Sequence, residues 1–471
     1  MRILEGWETL SQQKQAAVMA FLGSLILSLL AFYSDPVINR DGMLYIDMAQ
    51  SIAEHGGNVE QFNWPFFSYF LAGVISISPF SDTVTSMMVV SLFSAGATAL
   101  LAVLLGSMTA KRFVFLAVLV ALAFPGFNDN RAQILRDWPA WFFSLGAIYA
   151  VIRFDETLRW RYALAGVALL LMGMLCRLEV AGLGMALGLA WGLKGGRRKL
   201  LVLGSLVVTA MLVGLWYAFE GDFGERIRLY LDALDVVARY QEFMTISQKF
   251  ADTFIHEYSR EYGGLVLFVG LVSIIPAQLL ALLGPYLLAL FMGKATLPDR
   301  EKRIYGTVFV IWFLILVVFL TAYFLLSSRY VVLLALVVMP WLFLRFAQGY
   351  ENGSAKWRSV AVFVLAMMAL TGSYSSSARE KMSLVQAGHW LIEQNSPVVY
   401  FNDPRISFYA GRTYFMSPME QPDAVASGEF LVWLVDRDDM ERLIDENRVS
   451  LRVVEVFDSG GDDVVLVMAG L

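Results

Sequence analysis

Four short stretches of this 471-residue chain combine residue types that can move protons or hold an anion. The first reads Asp35-Pro-Val-Ile-Asn-Arg-Asp41-Gly-Met-Leu-Tyr45. Gly42 permits a tight turn after Asp41, and residues 43–53 read as a short helix, so Asp41 stands near a helix N-terminus. The helix dipole keeps a carboxylate there ionised, and an ionised carboxylate accepts a proton from a hydroxyl or an amine. A plain helix cap explains Asp41 alone equally well, but not the long aromatic-flanked segment, 34–64, that carries it. The second stretch ends in Arg136-Asp137-Trp-Pro139 at the start of an apolar run. It fits a functional carboxylate and an Arg–Asp pair anchoring a helix end about equally. The third, Cys176-Arg177-Leu-Glu179, interrupts the apolar run 163–193, and the fourth, Ser327-Ser-Arg329-Tyr330, precedes another. An arginine so placed offers phosphate a two-pronged donor set with a charge it cannot lose, although a lone boundary arginine more commonly snorkels to lipid headgroups.

Other chemistries find less support. A single cysteine, Cys176, rules out an intrachain disulfide and a multi-thiolate metal site. His55, His256 and His389 lie too far apart in sequence to suggest a histidine zinc centre. There is no phosphate-cradling P-loop and no Gly-x-Gly-x-x-Gly element, which speaks against nucleotide-sugar donors. Asp436-Arg-Asp438-Asp439 contains an Asp-x-Asp, but at an expected helix start, where capping is the better account.

The elements that must position these residues are apolar. Hydrophobic residues make up 58% of the chain and charged ones 16%, against about 25% charged in a typical soluble domain. Runs such as 200–219, 307–326 and 331–344 approach or reach the ~20 residues that span hydrocarbon. Membrane helices are expected at 16–33, 66–80 or 83–107, 113–125, 139–152, 162–176, 180–193, 200–219, 264–292, 305–326, 331–344 and 359–373, about eleven in all. The run 16–33 reads as a first crossing rather than a cleaved signal. Pro276 and Pro285 suggest that 264–292 is broken or strongly tilted. Lys and Arg crowd alternate loops, as in Arg153, Arg159 and Arg161 or Arg197, Arg198 and Lys199. The opposite short loops hold Arg40, Arg131, Arg136, Arg177 and Arg329. That bias puts the N-terminus in the cytoplasm and the C-terminus outside. Three outer loops follow, 34–64, 126–138 and 220–263. In the last, Ile227, Tyr230, Leu231 and Leu234 recur at the spacing of an amphipathic helix. The chain therefore divides into a membrane domain, 1–373, and a tail, 374–471. The tail alternates helix-like and strand-like stretches and carries twice as many acidic as basic residues, reading as a small extracytoplasmic α/β domain.

Asn39-Arg-Asp-Gly-x-x-Tyr45-x-x-x-Ala49, followed by Asn63-Trp-Pro-Phe-Phe-Ser-Tyr69, resembles the first outer loop of GT-C fold glycosyltransferases. It is most similar to the protein O-mannosyltransferase and aminoarabinose transferase branch. The resemblance implies a polytopic GT-C-like membrane enzyme of a bacterial inner membrane that moves a sugar from a polyprenyl-phosphate donor to a lipid, glycan or protein acceptor. It casts Asp41 as the catalytic carboxylate and Asp137 as the acidic residue of the second loop. It further matches Arg177 and Glu179 to an Arg-plus-acid turn, and Arg329 with Tyr330 to an Arg-Tyr element. Tyr45, Arg136, Asp137, Arg177, Glu179, Arg329 and Tyr330 are thus the expected substrate-binding residues, and Asp47 is expected to be helix surface. Asp41, Asp137 and Glu179 could converge on a divalent metal, but monophosphate donors in this family commonly need none, so no cofactor is expected. The first loop departs from some relatives in lacking a lysine; Lys249 and arginines of the third loop could substitute. No nucleic-acid partner is implied. An O-antigen ligase or polymerase, or a lipid-linked sugar flippase, would share the polytopic plan. The first should rely on a histidine or an arginine-rich outer loop, and the second should place charges near the bilayer midplane, which is almost free of them here.

Overall fold

The computed structural model describes residues 11–55, 64–192, 232, 235–374, 380–394, 399–412, 415–416, 425–447 and 450–471. The expected crossing at 200–219 and the amphipathic pattern around Ile227 to Leu234 fall essentially outside these residues.

The chain is a polytopic helical membrane protein with a small sheet at its C-terminal end. Helix α1 (Gln12–Ser34) is followed by α2 (Arg40–His55), which carries Asp41 in its first turn. Both candidates for the next crossing are helices. The ten residues of α3 (Phe66–Ile75) are too few for about 30 Å of hydrocarbon, whereas the 26 of α4 (Asp82–Ser107) suffice. Ser81 caps α4, its hydroxyl accepting from the Val84 N–H. Then come α5 (Val114–Leu122), α6 (Asp137–Thr157), α7 (Trp160–Cys176) and α8 (Val180–Gly192). Helix α9 (Val236–Phe254) belongs to the third expected loop and packs on α10 (Gly263–Leu283). Helix α10 tolerates Pro276 but stops at Gly284, whose φ of 45° is open to glycine, and the chain continues through the 3-10 turn Gly284–Leu288. Helices α11 (Asp299–Tyr323), α12 (Ser328–Asn352) and α13 (Ala355–Gly372) complete the bundle. Among the described residues six helical segments are long and apolar enough to cross a membrane.

Without a hydrophobic drive between helices in lipid, small residues and buried hydroxyl pairs hold the bundle. Ser24 meets Thr98, and Ser28 meets Ser94, each at 3.2 Å between α1 and α4.

The tail forms a five-stranded sheet in the order β2-β1-β3-β5-β4, built from β1 (Val399–Phe401), β2 (Phe415–Met416), β3 (Phe430–Asp436), β4 (Leu451–Asp458) and β5 (Asp463–Gly470). Strand β1 runs parallel to β2 and β3, and β5 runs antiparallel to β3 and β4. Helix α14 (Met382–Ile392) and the short α15 (Pro404–Tyr409) cover one face, and α16 (Arg437–Asn447) covers the other. At the start of α16 the Asp436 carboxylate accepts from the Asp438 N–H at 3.0 Å, so the Asp-x-Asp element caps a helix.

The sheet is seated on the segment between α1 and α2. Val37 is part of the core beneath β1, β3 and β5. The Ile38 N–H donates to the Tyr409 hydroxyl at 2.9 Å, and the Lys381 ammonium lies 2.6 Å from the Asp35 carboxylate. Asp35 is 7% exposed, so removing its cation leaves a carboxylate that water reaches poorly. Lys381→Met is expected to lower stability by about 1–2 kcal/mol, discounted from a fully buried pair because the lysine is half-exposed, and to hasten proteolytic release of the tail. Unchanged proteolysis would remove the pair from the seating.

Candidate functional site

The four stretches converge at the end of the bundle that carries the sheet. Asp41, in the first turn of α2, points its Oδ2 at the Arg329 guanidinium, with Nη1 at 2.6 Å. Arg329 lies in the first turn of α12, and its Nε reaches the Ser327 hydroxyl at 3.4 Å. Both side chains are partly open, 34% for Asp41 and 28% for Arg329.

Beside this pair lies a closed one. The Arg177 guanidinium, between α7 and α8, donates to the Asp137 carboxylate and, through Nη2 at 3.1 Å, to Glu179. All three side chains are under a tenth exposed. A guanidinium held this way cannot be spared, because releasing it would strand two buried carboxylates. Burial alone would raise the Glu179 carboxyl, but Arg177 and then Arg136 hold it down at about 2. Arg177 is likewise driven well up by Asp137 and Glu179 against the opposing effect of burial. Of the two readings of Asp137, the anchoring pair with Arg136 is not formed: Asp137 pairs with Arg177, forty residues on. The Arg136 side chain stands near Tyr45, Glu179 and Asp137 and makes no ion pair or hydrogen bond among the described residues.

Tyr45 sits one turn after Asp41 on the same face of α2. It is 4% exposed and stands edge-on to Phe67 at 5.2 Å. Burial, opposed by Arg136 and aided by Asp41 and Asp137, pushes its hydroxyl to about 12, so it stays a protonated donor. Tyr330 lays its ring 4.2 Å from the Arg177 guanidinium and stacks on Phe319 at 5.0 Å. The Trp312 indole N–H holds the Tyr330 carbonyl at 3.1 Å, which fixes the start of α12.

Neutral contacts set the spacing of these charges. The Asn39 side chain grips the Ile134 backbone from both sides, accepting from its N–H at 2.8 Å and donating to its carbonyl at 3.3 Å. Gly42 is not the turn residue that the sequence suggests. It lies inside α2, where a Cβ would come within 2.8 Å of Ile134 Cβ and 2.7 Å of Asn39 Oδ1, so its role is close approach. The Trp64 indole N–H donates to the Leu175 carbonyl at 2.9 Å, tying the end of the first loop to the end of α7.

Two groups are more buried than their place in the sequence implies: Arg131 in the second outer loop, and Asp47, expected to be helix surface. Arg131 is 1% exposed and donates only to neutral oxygens among the described residues, those of Ser24, Ser28 and Asn128. Burial lowers it to about 9, still protonated at neutral pH, and it staples the second loop to α1. Asp47 is half-buried, and burial raises its carboxyl to about 6. No composition signal marks either, since burial depends on what packs above them.

On the other side of the Asn39 clamp a cavity of about 400 Å³ opens between the bundle and the sheet. Asp35, Asn39, Arg40, Asp129, Gln133, Lys381 and Arg405 line it, giving it a polar, charge-mixed wall. Among the described residues no group of three or more His, Cys, Asp or Glu side chains is placed to hold a metal ion. Asp41, Asp137 and Glu179 each face an arginine instead. Lys249, considered as a substitute cation, is exposed on α9.

No protein-family model matches the chain, and no curated protein matches it in sequence. Its structure is similar to the crystal structure of ArnT from Cupriavidus metallidurans bound to undecaprenyl phosphate. The TM-score is 0.58 over 96% of this chain and 97% of that one, at 12% sequence identity. That likeness establishes a shared GT-C-like fold along essentially the whole length.

Two outcomes follow from the packing. Gly42→Val should push α2 away from Ile134 and cost about 1–3 kcal/mol, read as a lower melting temperature; a neutral effect would show that the clamp yields freely. Glu179 has its pKa depressed on folding from about 4.3, so its stabilisation is present above that pH and is lost as pH falls toward 2. Glu179→Gln should flatten the acid limb of the stability curve, and an unchanged slope between pH 4.5 and 2 would contradict the Arg177 pairing.

Proposed function

We propose that this chain is an integral membrane glycosyltransferase that moves a hexosyl or pentosyl group from a polyprenyl-phosphate donor to an acceptor outside the cytoplasm of a bacterial cell. The observation that carries this reading is the contact of Asp41 with Arg329, a partly open carboxylate beside a partly open guanidinium at a bundle end. Such a pair has the two functions that sugar transfer from a phosphate requires, a base for the acceptor and a cation for the leaving group. The shared fold with a protein whose structure holds undecaprenyl phosphate supports the lipid-phosphate donor.

In this scheme the acceptor oxygen or nitrogen attacks the anomeric carbon as its proton passes to the Asp41 carboxylate. The bond from that carbon to the phosphate oxygen breaks, and the electron pair leaves with polyprenyl phosphate. Direct displacement inverts the anomeric centre. Arg329 and the unengaged Arg136 take the phosphate charge, the Tyr45 hydroxyl donates beside Asp41, and Arg177 keeps Asp137 and Glu179 in place. The acceptor, a lipid, glycan or protein, approaches through the polar cavity under the sheet, next to Arg40. Positioning of two substrates at one carboxylate supplies much of the acceleration. The N-terminus lies in the cytoplasm and the sheet outside, with no resident metal.

Asp41→Asn is expected to cut turnover by about 10²–10⁴ with folding intact, measured as release of polyprenyl phosphate from labelled donor in purified protein. Near wild-type turnover would remove Asp41 as the base. Activity should survive chelation of divalent cations, and its abolition would bring back a metal held by the acidic residues.

A further inference from the structure

We infer that Arg329 serves two anions in turn, so that a donor phosphate must draw it away from Asp41 before Asp41 can act as a base. This rests on the sugar-transfer reading and assigns it an order, donor before acceptor.

The argument starts from how loosely Arg329 is held. It meets Asp41 through one nitrogen and one oxygen, Nη1 and Oδ2 at 2.6 Å, and its other protein contact is the long one from Nε to the Ser327 hydroxyl at 3.4 Å. Nη2 has no partner among the described residues. With both side chains near a third exposed, a single-point pair of this kind is weakly held. A phosphate offers the same guanidinium two parallel charge-assisted hydrogen bonds, which are roughly twice as strong each as neutral ones. The competition therefore favours phosphate. Arg177 cannot play this part, because it is buried under two carboxylates that need it.

Charge points the same way. Around the site the carboxylates of Asp41, Asp137 and Glu179 are matched by the guanidiniums of Arg136, Arg177 and Arg329. An arriving phosphate adds negative charge, and the Arg136 side chain has no ion-pair partner among the described residues. Once Arg329 turns to the phosphate, the Asp41 oxygen that it held is open to the acceptor's proton. While Arg329 stays on Asp41, Oδ2 is engaged by the guanidinium.

The test is direct binding of undecaprenyl phosphate to the full-length protein in detergent, followed by intrinsic tryptophan fluorescence and by the shift in melting temperature. If phosphate and Asp41 compete for Arg329, Asp41→Asn binds undecaprenyl phosphate about tenfold more tightly than wild type. Arg329→Ala binds it more weakly, and the double variant keeps none of the gain. Asp41→Ser repeats the first arm should the asparagine variant fold poorly. Equal or weaker binding by both Asp41 variants overturns the competition, since Asp41 would then be orienting Arg329 for the phosphate. Unchanged binding by Arg329→Ala overturns it as well. Neither result touches the role of Asp41 as base, which the turnover of Asp41→Asn decides separately.

Discussion

A charge at the edge of hydrocarbon must be matched or neutralised, and the Arg177 triad shows how this fold meets that demand. Moving one carboxylate from water into a poorly solvated interior costs several kcal/mol even after relaxation. Two of them, Asp137 and Glu179, are brought there on separate helix ends, and one guanidinium satisfies both. The triad joins α6 to the turn between α7 and α8, and the Tyr330 ring over Arg177 brings in the start of α12. It fixes which groups are locked, and so leaves Asp41 and Arg329 as the pair with freedom to exchange partners.

A second framework, of hydrogen bonds and close packing rather than ion pairs, sets the distances. The Asn39 grip on Ile134 and the glycine at position 42 let α2 lie directly against the second loop. Arg131 holds that same loop to α1 from behind through Ser24 and Asn128. Trp64 pins the far end of the first loop to α7. Asp41 is therefore carried on a helix braced on several sides, and the geometry of the site owes little to the site residues themselves. Hydrogen-bond directions are stricter than ion-pair directions, which is why a polar but uncharged clamp is the better ruler here.

Much of this was legible in sequence, for identifiable reasons. Helix ends follow from caps and breakers, so α4 begins after Ser81, close to the start expected at 83, and the run expected at 264–292 breaks at Gly284, beside Pro285. Asp41, Arg177 and Arg329 stand out because charge at a run of apolar residues is costly and must be explained. Partnership was not legible. The neighbour in sequence, Arg136, looked like the partner of Asp137, but adjacent residues at a helix start point about 100° apart, and Arg177 arrives from a different hairpin to fill the place. Gly42 was misread for a related reason, because a glycine signals backbone freedom and close approach with the same letter. The 66–75 segment had the composition of a crossing but only ten residues, and its burial against α2 and α4 shows it packing beside the site instead. Burial of Arg131 and of Asp47 depends on tertiary neighbours that no local pattern records.

The seating of the sheet connects these arguments. Between the end of α1 and the start of α2 there are only five residues, and three of them are engaged by the tail: Asp35 by Lys381, Val37 by the sheet core, and Ile38 by Tyr409. Asn39 and Asp41 follow at once. A chain this short has almost no slack, so a tilt of the sheet is passed to the first turn of α2 rather than absorbed. The same segment walls the cavity that lies between bundle and sheet. The lining of that cavity therefore includes the backbone that leads into Asp41, while the partner of Asp41, Arg329, is anchored on α12 through Ser327 and Trp312. The two halves of the Asp41–Arg329 pair thus belong to different supports, Asp41 to the helix beside the seat of the sheet and Arg329 to α12.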